Sequence, residues 1–193
     1  MFDDHRSKRV VIVAHCLLNQ NSISDGTADF PSQYTELMDL IFANQVGLIQ
    51  LPCPEVACLG LDRRDKQGGK RSLLAENTRI RDLMSKTGRA VLQDKAEEVA
   101  TLIQEYRLNG FKVLGLIGVN RSPSCGVETT TKDNEEVKGQ GVFIEMISEA
   151  CHRRGLVVKM IGVKTSETEN SVKRVQQLIE TPVISFSGTP RFP

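Results

Sequence analysis

The sequence predicts an α/β domain, a mainly parallel sheet flanked by helices in a Rossmann-like or flavodoxin-like arrangement. Two observations carry this. Short apolar runs alternate along the chain with longer stretches of helical periodicity. The clearest run, Phe111 to Val119 (FKVLGLIGV), is nearly all apolar and rich in Val, Ile and Leu, as a strand covered on both faces must be. No G-x-G-x-x-G turn follows the first strand and no P-loop is present, so the common nucleotide-binding versions of the fold lack support.

Arg9 to Ala14 (RVVIVA) reads as a first buried strand. A polar loop follows over His15 to Ser22, with Leu17-Leu18 embedded, and leads to the turn signal Asp25-Gly26. Pro31 to Asn44 is predicted helical, with Leu37, Leu40 and Ile41 at helical spacing and Pro31 in the first turn. Gly47 to Leu51 is a second strand. It runs into Pro52-Cys53-Pro54-Glu55, expected to be a stiff loop because the two prolines suit neither a helix interior nor a sheet ladder. Gly60 to Arg71 (GLDRRDKQGGKR) is charged and aperiodic, and predicts a mobile loop: a solvated excursion or a clamp over a site.

Helices are expected over Leu73–Lys86 and Asp94–Arg107. Ala96, Val99, Leu102 and Ile103 give the second an apolar face, and Asn109-Gly110 stops it. After the Phe111–Val119 strand, residues 129–140 are polar and predict a loop or short hairpin. Gly141–Arg154 is a helix, Leu156–Val163 a fourth strand, and Ser171–Glu180 a last helix. Residues 1–180 are expected to form a single domain, with 181–193 an extended, proline-containing tail.

Composition narrows the function classes. The chain has 193 residues, 39% of them apolar and 25% charged, and a net charge of +1, so no general attraction to nucleic acid or anionic membrane is implied. Tryptophan is absent, which removes the best stacking platform for single strands. No apolar run approaches the roughly 20 residues of a membrane helix, and MFDDHRSKRV has no signal-peptide core. A cytoplasmic setting is expected, and five cysteines there point to metal binding or catalysis. Homo-oligomerisation is left open.

Cys16, Cys53 and Cys125 each follow a predicted strand. Parallel strands share their carboxyl edge, where ligands bind in open α/β sheets, and neighbouring strands lie about 4.8 Å apart. Three thiols could therefore converge on one small object, although their separations match no CxxC signature. Sulfur ligands select zinc, copper(I) or iron–sulfur clusters, and three ligands leave one coordination position open. His15 adjoins Cys16 but should face the opposite way if the strand continues.

Cys16-Leu17-Leu18, Asp25-Gly26, Cys53-Pro54-Glu55-Val56 and Ser122-Pro123-Ser124-Cys125-Gly126, in this order and behind these strands, resemble the thiouracil desulfurase family. The resemblance spans roughly residues 9–163. Asn19, Ile23-Ser24 and Ala57-Cys58-Leu59 depart from its usual pattern and mark a divergent branch. The resemblance implies an enzyme that removes sulfur from a small thiolated compound such as 2-thiouracil, releasing hydrosulfide. It also implies a [4Fe-4S] cluster held by Cys16, Cys53 and Cys125. Glu55 is then the candidate proton donor or base, with Ser122 beside it as a second catalytic group. Asn19, Asp25, Asn120 and Ser124 are candidates for binding substrate. Two other readings stand beside this one. One is a cysteine-nucleophile hydrolase, with Cys125 or Cys53 attacking and His15 as base. The other is a non-enzymatic metal- or sulfide-binding protein with a structural zinc, for which Cys58 would be the fourth ligand. Cys151 and His152 fit the core and the last turn of their helix.

Overall fold

The structure, a computed structural model, describes residues 2–180. The tail expected over 181–193 lies outside them. Four parallel strands make the sheet: β1 (Arg9–Val13), β2 (Gly47–Gln50), β3 (Lys112–Val119) and β6 (Met160–Val163), in the order β2-β1-β3-β6. The two inner strands carry the register. Ile12 of β1 lies opposite Ile49 on one side and Leu116 on the other, and Val119 of β3 lies opposite Val163. Ile12, Leu116 and Val163 are buried, as the apolar runs require, and Ile49 and Val119 are partly buried against them. In the chain between β3 and β6, a separate antiparallel hairpin forms from β4 (Thr129–Lys132) and β5 (Glu135–Lys138), turned by Asp133 and Asn134 at positive φ.

Among the described residues seven helices accompany the strands: α1 (His15–Leu18), α2 (Thr35–Ala43), α3 (Pro54–Leu59), α4 (Leu73–Thr87), α5 (Arg89–Leu108), α6 (Val142–Arg153) and α7 (Thr168–Glu180). α2 packs on α7 and α5 on α6, while α5 and α7 both pack on β3. Ile103 of α5, Ile147 of α6 and Val175 of α7 are fully buried in the common core. The fold is α/β, with a mainly parallel sheet flanked by helices.

Several local readings of the sequence need correction. The loop expected after β1 instead makes the single helical turn α1 and a 3-10 turn over Gln20–Ser22, anchored because Leu17 is buried. α2 begins at Thr35 rather than Pro31. The preceding residues pair with the β1 loop, where Tyr34 donates to the Leu17 carbonyl at 2.9 Å and Gln20 to that of Ser32. α5 begins at Arg89, directly after α4, so two predicted helices meet at Gly88 with no connecting loop. On α5, Ala96, Val99 and Ile103 are buried as expected, whereas Leu102 is largely exposed.

The most consequential correction concerns Pro54. It stands at the first position of α3, with Cys53 as the N-cap residue. A proline there loses no hydrogen bond, and its fixed φ favours the helix. Glu55 therefore sits in the first turn of a helix, not in a stiff loop.

The loop between β3 and β4 folds back over its own strand. Val119 donates to the Cys125 carbonyl at 2.8 Å, and Gly126 donates to Ser122 at 3.2 Å. A Cβ on Gly126 would lie 2.2 Å from the Thr129 carbonyl oxygen. Gly126→Ala should therefore lower stability by about 2–3 kcal/mol, the usual cost of forced overpacking. A fall in the denaturant midpoint at unchanged slope is the expected measurement.

Candidate active site at the carboxyl edge of the sheet

β1, β2 and β3 end on one edge of the sheet, and each is followed within a few residues by a cysteine. Cys16 lies in α1, Cys53 caps α3, and Cys125 lies in the loop after β3. All three line one cavity of about 190 Å³, shared with Glu55, Arg63, Ser122 and Ser124. All are free thiols. A larger, mostly apolar cleft of about 770 Å³ adjoins it through His15, Ser22 and Cys53, but neither of the other two thiols lines that cleft. The polar residues that chemistry needs gather in the smaller cavity.

Backbone groups hold Cys125 in place. α6 has no side-chain N-cap, and its first N–H groups bond instead to the cysteine loop: Val142 to the Pro123 carbonyl at 3.0 Å and Phe143 to that of Ser124 at 3.1 Å. The helix end thus satisfies its orphan donors on the loop it positions. Ser122 Oγ accepts from the N–H groups of Cys125 and Ser124 at 3.0 and 3.3 Å. From α4, Arg81 donates to the Pro123 carbonyl and Asn77 to that of Arg121, so a second helix braces the loop.

Glu55 is only 8% exposed, and both its carboxylate oxygens are engaged. Oε2 accepts from Arg63 Nε at 2.9 Å, and Oε1 accepts from Ser124 Oγ at 2.7 Å. Ser124 is 1% exposed, and its Oγ lies 3.2 Å from Ser122 Oγ and 3.7 Å from Cys125 Sγ. A continuous polar chain therefore runs Ser122, Ser124, Glu55, Arg63. Arg63 was not legible as a site residue, because the stretch around it reads as solvated charge. The stretch is no simple surface excursion: it is built of turns, includes a 3-10 turn over Gly68–Lys70, and buries Arg63 to 2% exposure. Gln20 was missed as well. It is buried under the β1 loop, where Nε2 donates to the Cys16 carbonyl at 2.9 Å and Oε1 accepts from Asp29.

The remaining candidates take up other places. Asn120 lines the cavity, but its Oδ1 accepts from the backbone N–H groups of Val127, Glu128 and Thr129, so the side chain folds the loop into the hairpin. Gly162 beside it leaves room, since a Cβ there would lie 2.0 Å from that oxygen. Asp25 is exposed and accepts from Gly69 N–H at 3.0 Å, tying the loop after α1 to the 60–71 segment. Asn19 caps the 3-10 turn through Asn21 and faces the apolar cleft instead of the thiols. His15 begins a helical turn, so the alternation expected of a continuing strand does not apply. It lines both cavities, yet among the described residues no hydrogen bond joins it to a thiol. Cys58 packs against the Gly88 carbonyl at 3.7 Å, away from the thiol cavity.

Burial pushes the Cys16 thiol up to about 12, with the neighbouring Cys53 and Glu55 adding to the shift. Burial also raises Cys53 and, well above its ordinary value, Cys125, each further raised by Glu55. A cysteine nucleophile needs the opposite shift. Among the described residues, no three His, Cys, Asp or Glu side chains gather closely enough to hold a single ion.

Two predictions follow from this geometry. Removing either partner of the buried Glu55–Arg63 pair strands a charge, so Glu55→Gln and Arg63→Met should each cost about 3–5 kcal/mol. Because the two are in contact, the double variant should cost less than the sum, which a denaturation cycle would read. The second concerns pH. A folded-state value raised above the unfolded one means that stability is fully present below about 9 and is lost as pH rises toward about 12. The metal-free protein should therefore weaken above pH 9, and Cys16→Ser should flatten the pH dependence of the denaturation midpoint in that window.

The chain is similar to known proteins in sequence and in structure. The uncharacterised protein MJ0003 of Methanocaldococcus jannaschii is 28% identical over 177 residues, 91% of this chain and 99% of that protein. A solved structure of the [4Fe-4S]-dependent thiouracil desulfidase TudS aligns at a TM-score of 0.43 and 16% identity, over 87% of this chain and 98% of its own. The 2-thiouracil desulfurase family matches residues 11–154, a span that holds all three cavity cysteines, Glu55 and both serines. By that match, over well more than half its length, the chain belongs to the 2-thiouracil desulfurase family.

Proposed function

We propose that this protein removes sulfur from a small thiolated compound such as a thiopyrimidine and releases it as hydrosulfide, without net redox change. The observation that carries the reading is one cavity in which thiols from three strand ends meet a buried, doubly bonded carboxylate. The reaction balances with water alone. The C=S bond breaks, a C=O bond forms from water oxygen, and hydrosulfide and a proton leave.

The donor set fits a [4Fe-4S] cluster. Cysteine thiolates are the ordinary ligands of such clusters. Three of them would hold three irons and leave the fourth without a protein ligand. Thiols spread around a cavity, not gathered at one point, suit a group wider than a single ion. Cys16, Cys53 and Cys125 would be the ligands, and the bound cluster would supply a soft Lewis-acidic iron to hold the substrate's sulfur.

The chain's own residues handle the proton. Ser124 Oγ donates to Glu55 Oε1, and Ser122 Oγ, which already accepts two backbone N–H groups, has its own hydrogen to direct at Ser124 or the cavity. Water attacking the thiocarbonyl carbon would give its proton to Ser124 Oγ, which would pass its own hydrogen to Glu55 as the terminal base. Arg63 holds the other carboxylate oxygen, which keeps Oε1 aimed at Ser124. Asn120 and Asp25 act by ordering the loops that bound the cavity.

The test is anaerobic reconstitution followed by assay of sulfide release from a panel of thiopyrimidines, thionucleosides and thioamides. Uptake of roughly four irons per chain is expected, with sulfide released from at least one member. Glu55→Gln should keep iron but lose about 100-fold or more in turnover, with its folded fraction checked first. Cys125→Ser should lose both iron and activity. If no compound releases sulfide above a cluster-free control, the proposal is wrong.

A further inference from the structure

Arg63 stands at the meeting point of the site's loops, and all its donors are engaged. Nε donates to Glu55 Oε2 at 2.9 Å. Nη1 donates to the carbonyls of Gly60 and Leu61, both at 3.0 Å. Nη2 donates to the Ser22 carbonyl at 2.6 Å and lies 4.0 Å from Cys53 Sγ in donor geometry. One guanidinium thus joins the turn after α1, the cysteine that caps α3, and the carboxylate in the first turn of α3.

The backbone under it is strained. Arg63 and Arg64 have φ of 51° and 60°, the left-handed region that side chains avoid. The surroundings hold it there: Arg79 donates to the Arg63 carbonyl at 3.0 Å, and Arg79 is itself paired with the buried Glu76. A strained, buried arginine with no exposed donor is a poor design for solubility. It suits a residue whose direction matters.

The three thiols are also unequal. Cys53 Sγ faces a cationic N–H, whereas Cys125 Sγ lies 3.7 Å from the neutral Ser124 hydroxyl, whose one hydrogen goes to Glu55. A hydrogen bond to a ligating sulfur draws charge from it and helps set the potential of the group it holds.

We infer that Arg63 is a positioning residue for the desulfurase reaction, aiming Glu55 at Ser124 and donating to the Cys53 sulfur. The inference rests on the function proposed above. Lysine at this place would keep the charge but lose the planar fork, because one ammonium cannot serve Glu55, Ser22 and Cys53 in the same geometry.

The experiment compares the parent protein, Arg63→Lys, Arg63→Met and the exposed control Arg64→Ala, all reconstituted anaerobically. Iron per chain, the reduction potential of the loaded protein, and kcat and KM for sulfide release are read on each. The control should match the parent in potential. Arg63→Met should show a more negative potential and a kcat lower by about 10- to 100-fold, the usual loss for a partner behind a ligand, with KM changed less. Arg63→Lys, which leaves no stranded carboxylate and serves if Arg63→Met does not fold, should load iron yet fall between the two. A purely structural role would change the amount of folded protein but not the potential per loaded chain. If loaded Arg63→Lys keeps the parent's potential and kcat, the inference is overturned while the function stands. A parent that takes up no iron or releases no sulfide overturns the proposed function, and this inference with it.

Discussion

A buried carboxylate organises this site. Left alone at 8% exposure, Glu55 would cost several kcal/mol. Its place is set by Pro54, which starts α3 directly after Cys53 and so puts Glu55 in the first helical turn, facing inward. Its partners must then come to it. Arg63 arrives from the turns after α3, and Ser124 from the loop after β3, far away in sequence. Each partner brings a cysteine's surroundings along. Ser124 is next to Cys125, and Arg63 reaches Cys53 and the turn that follows Cys16. Satisfying one acid thus closes the cavity on three sides.

The thiols occupy an environment that would suit no free nucleophile. Burial raises all three, and the nearby carboxylate adds to the effect. In the metal-free protein they remain thiols at neutral pH. A metal centre removes those protons on binding, because only the thiolate is a ligand. The same burial that holds the protons on would shield a bound group from water. A cysteine hydrolase needs a thiolate prepared in advance and a base in contact with it, and His15 makes no such contact among the described residues. Cys58, turned toward Gly88, is not placed to complete a zinc site with the other three.

Most of the sheet was legible because its signal is local. Val10 to Val13 and Val113 to Ile117 are apolar because both faces of an inner parallel strand are covered. The positions of Cys16, Cys53 and Cys125 behind β1, β2 and β3 followed from those runs, since parallel strands end on one edge. The helical start of α3 was misread because Pro-x-Pro looks like a breaker from both sides, whereas a proline at the first helical position breaks nothing. The start of α2 was misread because Ser32 and Tyr34 answer to tertiary partners, the backbone groups of Gln20 and Leu17. Asn120 lines the cavity, as expected of a substrate-binding candidate, but its part in ordering the loop was not legible, because a polar side chain after a strand is equally suited to both tasks. Only the three backbone donors around its Oδ1 show which task its carbonyl performs.

The 60–71 segment shows why charge is hard to read from sequence. Its run of Arg, Asp and Lys resembles a solvated loop, and Arg64 and Lys66 are indeed at the surface. Arg63 differs from Arg64 in nothing that composition records. It differs in its partner, a glutamate eight residues earlier, a spacing outside the three- and four-residue steps that mark helical ion pairs. Arg71 joins Asp65 and Glu76, and Arg79 joins Glu76 and the Arg63 carbonyl, so the segment is fastened to α4 by charges that only the fold brings together. Such a network cannot form piecemeal. Each buried ion is costly until its partner is present, so the segment settles as a unit or leaves Glu55 unpaired. The price of that cooperativity is a strained backbone at Arg63 and Arg64. Its result is a carboxylate with one oxygen fixed by a cation and the other by a neutral hydroxyl.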